Sequence, residues 1–263
     1  MTLYRIRFEL CSAVITPLKG DTIWGHIVWG IANHEGDEAV AKFLEQEKSE
    51  PPALVVSSAF PAGMLCRYLP LPAKRDDSLS IDKYSEIKKN KKIKYMNASE
   101  YFEGTETPPA AMEDILKGTP VMHNTLTMHN TIDRSINTVL EGGLYSTEEK
   151  WPGILHGSTY TNIDWDFYIL SSFAPECIKE LVEWAFENGY GADASTGKGK
   201  IVIKSDPIPM KPKKSGSTYM ALGPFVDTKN ELKDIRADIF VRSGKLGGSF
   251  ASGLSPHKKP VVL

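Results

Sequence analysis

The chain has 263 residues, 41% of them hydrophobic and 24% charged, an ordinary globular composition with room for one large domain or two of moderate size. It contains no apolar run of the roughly 18 residues that a membrane-spanning helix needs, and Met1–Phe8 alternates charge with bulk as a strand does, unlike a signal peptide. Three scattered cysteines (Cys11, Cys66, Cys177) give neither a metal knuckle nor a disulfide framework and fit a reducing, cytoplasmic setting, while a net charge of −2 argues against indiscriminate nucleic-acid binding.

In chain order, Tyr4, Ile6, Phe8 and Leu10 alternate with Arg5, Arg7 and Glu9, the pattern of a half-buried strand. A break at Thr16–Gly20 precedes Asp21, which is placed to cap a helix whose apolar stripe is Ile23, Trp24, Ile27, Val28 and Ile31. A short helix over 37–48 turns Val40, Phe43 and Leu44 inward, and 53–60 reads as a strand. Residues 61–118, rich in proline and charge with a lysine run at Lys88, Lys89, Lys91, Lys92 and Lys94, read as an insertion outside the core. Residues 119–132 read as extended, Gly142-Gly143 as a turn, and Leu144–Trp151 as a strand. A second unit opens near residue 160. It has a strand at Asp164–Phe173 and a helix from Pro175 with the stripe Ile178, Leu181, Val182, Ala185, Phe186 and a C-terminal Gly189. Strand-like stretches follow at Ile201–Ser205, Thr218–Leu222 and Ala237–Arg242. The order predicts an α+β protein with antiparallel sheets and helices on one face. Charge divides at the glycine-rich stretch, −10 over residues 1–194 and +8 over 195–263, which predicts a basic face on the C-terminal part.

Between the second helix and its next strand lies Gly189-Tyr-Gly-Ala-Asp-Ala-Ser-Thr-Gly-Lys-Gly-Lys200. Glycines leave backbone amides uncovered, so converging amides around Gly197 and Gly199, the hydroxyls of Ser195 and Thr196, and the cations Lys198 and Lys200 suit phosphate. A nucleotide-binding P-loop is excluded on order, since it needs strand before and helix after, and Gly199 stands where a Mg²⁺-binding Ser or Thr belongs. The competing reading is a plain helix-to-strand turn.

Residues 16–26 (Thr-Pro-Leu-Lys-Gly-Asp-Thr-Ile-Trp-Gly-His) resemble the first conserved segment of the RAMP proteins of CRISPR systems, and the glycine-rich loop is similar to that superfamily's hallmark. Residues 129–134 (His-Asn-Thr-Ile-Asp-Arg), followed by Gly142-Gly-Leu-Tyr145, resemble a signature of the type III-A Csm subunit that caps the 5′ end of the guide RNA. Residues 88–95, 217–225 and 250–260 also fit that family, so the resemblance spans nearly the whole chain; the family usually continues with a further glycine-containing hairpin where this chain ends at Leu263. The resemblance implies two ferredoxin-like (RRM-like) domains, 1–158 and 159–263, the first with a thumb insertion at about 61–132 and the second carrying the glycine-rich loop. It implies binding of the guide-RNA 5′ tag, docking on a large polymerase/cyclase-type subunit and on a backbone RAMP subunit, no cofactor, and no RNA cleavage.

Candidate RNA contacts follow. Arg134, oriented by Asp133, forks onto a phosphate, or else forms an ion pair between strands. Ser135 and Thr138 offer hydroxyls, and Tyr145 either stacks on a base or belongs to the core. Lys19, with Gly20 and Asp21 at a helix start, faces phosphate with free amides. Trp24 lies on the apolar stripe, while Trp29 is off it. His26 is the residue that an alternative reading needs, a metal-independent endoribonuclease processing precursor RNA. His123 and His129 lie six apart on one face of an extended segment, beside Asn130; no carboxylate or cysteine cluster joins them, so no metal site is expected. Arg242 and Lys245 sit in a second glycine-plus-cation stretch. A third reading is a structural adaptor without RNA contact.

Overall fold

Alternation dictates the first strand. Tyr4, Ile6, Phe8 and Leu10 are all buried on one face of β1 (Thr2–Leu10). The computed structural model describes residues 1–67, 85, 87–88, 93–104, 112–213, 219–227, 229, 231–244 and 257–262. In it β1 leads to α1 (Gly20–Glu35), which buries Ile23, Ile27 and Ile31, and to α2 (Asp37–Glu47), which buries Phe43. Lys19 rather than Asp21 holds the cap position of α1, no side chain caps the helix, and Asp21 falls in its first turn. The strand expected at 53–60 is two short ones, β2 (Leu54–Val56) and β3 (Phe60–Pro61). Between them Ser57 Oγ accepts the Tyr168 N–H at 2.8 Å, a side chain standing in for a ladder group.

The insertion is more than a surface appendage. β4 (Met64–Cys66) pairs with β5 (Tyr95–Asn97), and β6 (Phe102–Glu103) and α3 (Met112–Leu116) follow. Leu65, Met96 and Phe102 close with Phe60, Tyr168 and Met210 into a second core, and Met112 and Ile115 join the main one. That second core covers part of the charged face of β1, where Arg5 is buried, while Arg7 and Glu9 stay partly exposed. Arg7 grips buried Asp166 through two bonds of 2.8 and 3.0 Å, and Asp166 also accepts the Gly63 amide.

The segments expected to be extended form one long hairpin, β7 (Met122–Asp133) with β8 (Thr138–Pro152). Gly142-Gly143 is not its turn. The register slips between Asn130 and Ile132, and the glycine pair lies in the irregularity on β8, Gly142 with φ 73°. The turn is residues 134–137. Asp133 organises it by accepting the Ser135 N–H (2.8 Å) and hydroxyl (2.6 Å), with Asn137 left-handed. A small hairpin, β9 (Ile154–His156) with β10 (Thr159–Thr161), leads to β11 (Asp164–Ser171) and α4 (Pro175–Phe186). β12 (Ile201–Ile203), β13 (Ile208–Pro212), β14 (Val241–Arg242) and β15 (Val261–Val262) complete the described strands. Of the stretch expected at 218–222, Thr218 lies outside the described residues and the rest is irregular; of 237–242 only the last two residues are strand. Lys89, Lys91 and Lys92 of the lysine run also lie outside.

The antiparallel main sheet runs β2, β11, β1, with β12 and β13 both on the far edge of β1. Thr2 to Glu9 pair with Ser171 to Asp164 without interruption. α1 and α4 pack together on one face over Ile6, Phe8, Phe167 and Ile169. This is one β-α-β-β-α-β unit. Its first three elements come from one side of the expected division at 158–159 and its last three from the other, so the two halves share a sheet.

Candidate functional site

The glycine-rich loop joins α4 to β12 and folds back against the segment that precedes α1. Its anchor is Tyr190, fully buried, which donates to the Pro17 carbonyl at 2.6 Å and stacks on His26 at 5.0 Å; burial pushes its phenol well above the usual range. His26 Nε2 accepts the Gly191 N–H at 3.0 Å, and the ring also donates to the Ala185 carbonyl. An imidazole accepting at one nitrogen is neutral, and burial accordingly holds His26 below the ordinary histidine value. Thr16 Oγ1 accepts the Ala192 N–H at 2.9 Å. Gly199, with φ 65°, lies against Tyr190 so closely that a Cβ would run into the Tyr190 carbonyl, and a Cβ on Gly191 would strike Thr16.

This geometry corrects the amide-cradle expectation. The Gly199 N–H goes to Ala13 O, Lys200 N–H to Ser12 Oγ, Gly197 N–H to Ala194 O, and Thr196 and Lys198 N–H to Asp193 O. The amides of 196–200 are thus committed to the protein. The glycines are there for close packing and left-handed backbone, not to present donors. Lys198 is committed as well: its ammonium lies 2.7 Å from Glu149 Oε2 on β8. Ser195 and Lys200 keep their side chains on the exposed outer surface, and the exposed Thr196 donates its hydroxyl to Asp193 O.

At the start of α1, Gly20 is buried against Val56 and Ser57, and its N–H donates to Ser58 Oγ. Asp21 pairs with Arg242 at 2.7 Å, and Arg242 also donates to the Thr22 hydroxyl. Lys19 sits over the Phe240 ring, 5.2 Å from its centroid. The basic C-terminal segment therefore docks on this helix start, and the ion pair with Asp21 takes up the charge of Arg242. Trp24 faces α2, tilted on Phe43 at 6.2 Å with its indole donating to Glu47, so it is a packing residue. Trp29 is 42% exposed. Lys245 lies outside the described residues.

The remaining candidates stand on the hairpin. His129 stacks on Tyr145, its partner in the ladder, at 5.2 Å and 19°, and Tyr145 is 53% exposed. His123 shares their face but lies six strand positions away, about 20 Å at strand rise, and bonds to the Gly153 carbonyl; the two histidines do not converge. Among the described residues no group of three potential metal ligands occurs, and no helix is long and apolar enough to cross a membrane. Asn130, Arg134 and Thr138 are exposed, as is Ser135. Asp133 serves the turn and does not orient Arg134. Its bonds from Ser135 hold the carboxyl below the usual aspartate value. From the ladder position of Glu149 to the tip is eight residues, about 27 Å, so Arg134 and the loop form two separate stations. Thr16, Tyr190 and Glu149 were not among the candidates. Tyr190, an aromatic between two glycines, carried a legible signal; Glu149, one of a Glu-Glu-Lys run, carried none.

No family model matches the chain, and no curated protein matches its sequence. Its backbone is similar to a chain in a crystal structure of the Csm1-Csm4 cassette in complex with pppApA, with 17% identity, a TM-score of 0.45, and coverage of 82% of this chain and 73% of that chain. It is similar to a chain of the same cassette in complex with AMPPNP at 18% identity and TM-score 0.44, covering 82% and 74% of the two. It is also similar to a chain in a cryo-EM structure of the type III-B Cmr-beta bound to cognate target RNA, at 8% identity and TM-score 0.42, covering 80% of this chain and 60% of that one.

Proposed function

We propose that the chain is a non-catalytic, RNA-holding subunit of a type III CRISPR effector complex. The observation that carries this reading is the interlock of the two segments that resemble the RAMP superfamily. Residues 16–26 and 189–200 are far apart in sequence, yet Pro17, Thr16 and His26 each bond to a successive residue of 190–192. A random coincidence of motifs has no reason to meet in this way. Within that reading the bound RNA is the 5′ tag of the guide, the subtype is III-A, and the protein partners are the large polymerase/cyclase-type subunit and a backbone RAMP subunit. RNA lies over the outer surface of the loop at Ser195 and Lys200 and along the hairpin at Tyr145, Asn130 and Arg134, whose polar groups face solvent.

Binding without cleavage is favoured by His26. A general base must have a nitrogen available to the 2′-hydroxyl, and both nitrogens here are engaged by backbone. Two experiments test the proposal. Repeat RNA incubated with the purified chain in EDTA is expected to stay intact; cleavage that His26→Ala abolishes would overturn the binding reading. Photocrosslinking in the assembled particle is expected to join this chain to the first eight or so nucleotides of the guide, about the reach of one groove. Crosslinks confined to other subunits would leave only an adaptor.

A further inference from the structure

The hairpin and the glycine-rich loop meet through one buried charge. Glu149 is 2% exposed at its side chain and Lys198 22%, with 2.7 Å between them. Thr127, diagonally across the ladder from Glu149 on the same face of the hairpin, lies beside the carboxylate and helps to hold it ionised. A carboxylate held out of water depends on its cation, because removing one partner leaves an uncompensated charge in a poor solvent for it. At the next residue the backbone takes over: Val14 and Lys150 exchange both hydrogen bonds, 2.9 and 2.8 Å. β8 is thus pinned to the body at two consecutive residues, whose side chains point to opposite faces of the hairpin. A backbone bridge fixes a point. A side-chain pair on one face resists rotation about that point.

Leverage makes the resistance matter. The tip stands about 27 Å from the pin, so a rotation of about 10° at the base would carry it about 5 Å, enough to lose a hydrogen-bonding position. Isolated two-stranded hairpins are marginal in water and do not hold their own direction. We propose that the Glu149–Lys198 ion pair is a positioning lock that sets the angle of the hairpin against the glycine-rich loop, and thereby the place of Arg134 and Tyr145 over the RNA. The last clause rests on the RNA-holding reading; the lock itself does not. It also gives Lys198 a role other than phosphate contact.

The test measures distance in the full chain without RNA. Spin labels carried on genetically encoded side chains at Ile136, 66% exposed at the hairpin tip, and at Lys42, exposed on α2, report the tip-to-body distance distribution. The wild-type distribution is expected to be narrow. E149Q and K198M should each broaden it at least twofold, and the charge-reversed double variant E149K/K198E should narrow it again, which a merely space-filling role would not do. Unchanged width in both single variants, or a double variant as broad as the singles, overturns the lock. K198M changes a side chain at the edge of solvent and keeps the test valid should E149Q misfold. Tagged-RNA affinity is read separately: broadening without loss of affinity would leave the lock standing and remove its RNA role.

Discussion

Single residues here divide into those that shape the loop and those that face outward. Gly199 belongs to the first kind. An L side chain at φ 65° is strained and its Cβ meets the Tyr190 carbonyl, so Gly199→Ala should destabilise the fold by more than about 1 kcal/mol in denaturant unfolding. His26 is held neutral by burial and by the Gly191 N–H, so in NMR titration its imidazole should stay unprotonated below pH 6.5, the ordinary value. The sign follows: the unfolded chain binds that proton first, so His26 costs stability as pH falls below 6.5 and not above it. Arg134 is of the second kind. Arg134→Ala should leave stability within about 0.5 kcal/mol and lower the salt slope of tagged-RNA binding by about one ion. An unchanged slope would remove Arg134 from the interface. Residue types at these positions were legible in the sequence, but their roles only partly. Glycine spacing signals uncovered amides equally whether a ligand or the protein's own carbonyls and hydroxyls accept from them. Only the fold brings Ser12, Ala13 and Thr16 into reach.

At the scale of elements, periodicity served where one face is buried. The stripes of α1 and α4 and the inward face of β1 match the periodicity read from sequence. It recognised β7 and β8 as extended but could not place their turn, because neither face of that hairpin packs on a core along its outer length: Leu126 is 65% exposed on one face and Tyr145 53% on the other. With no burial to set phase, Gly-Gly reads as a turn when it is a bulge. The exposure has a consequence that can be measured. Replacing residues 128–146 with Asn-Gly, joining paired Thr127 and Thr147, should leave the melting temperature within a few degrees and, on the proposed RNA-holding function, weaken RNA binding. The Glu149–Lys198 pair is separable by pH. Lys198 holds the Glu149 carboxyl below its ordinary 4.5, so the pair's stabilisation is full above that value and is lost as pH falls through the lower, folded one. The difference in melting temperature between wild type and E149Q should therefore shrink in acid.

For the molecule as a whole, the order of elements in the sequence implied helices on one face of an antiparallel sheet, and that is what forms. The number of sheets was not legible. A strand–helix–strand pattern repeated in two halves fits two units with four edges or one unit with a long insertion, and only pairing partners separate these. Here β1 pairs with β11 along eight residues and with β12 and β13 on its other edge. Residues 1–158 and 159–263 expressed alone should thus each lack cooperative unfolding and aggregate, while co-expression should recover a soluble pair. Independent folding of either fragment would contradict a shared sheet.

The central position of β1 also bears on synthesis. It leaves the ribosome ahead of the strands that pair with it, and the residues that cover its two edges follow more than 150 positions later. At elongation rates of roughly 5–20 residues per second, an apolar strand with both hydrogen-bonding edges open waits on the order of 10 s or longer for its neighbours. During that interval it is a template for any other extended chain nearby, including a second nascent copy on the same message. Slow translation of the middle third would lengthen the exposure, so yield of soluble protein should respond to codon choice between residues 62 and 163 more than to codon choice near the end.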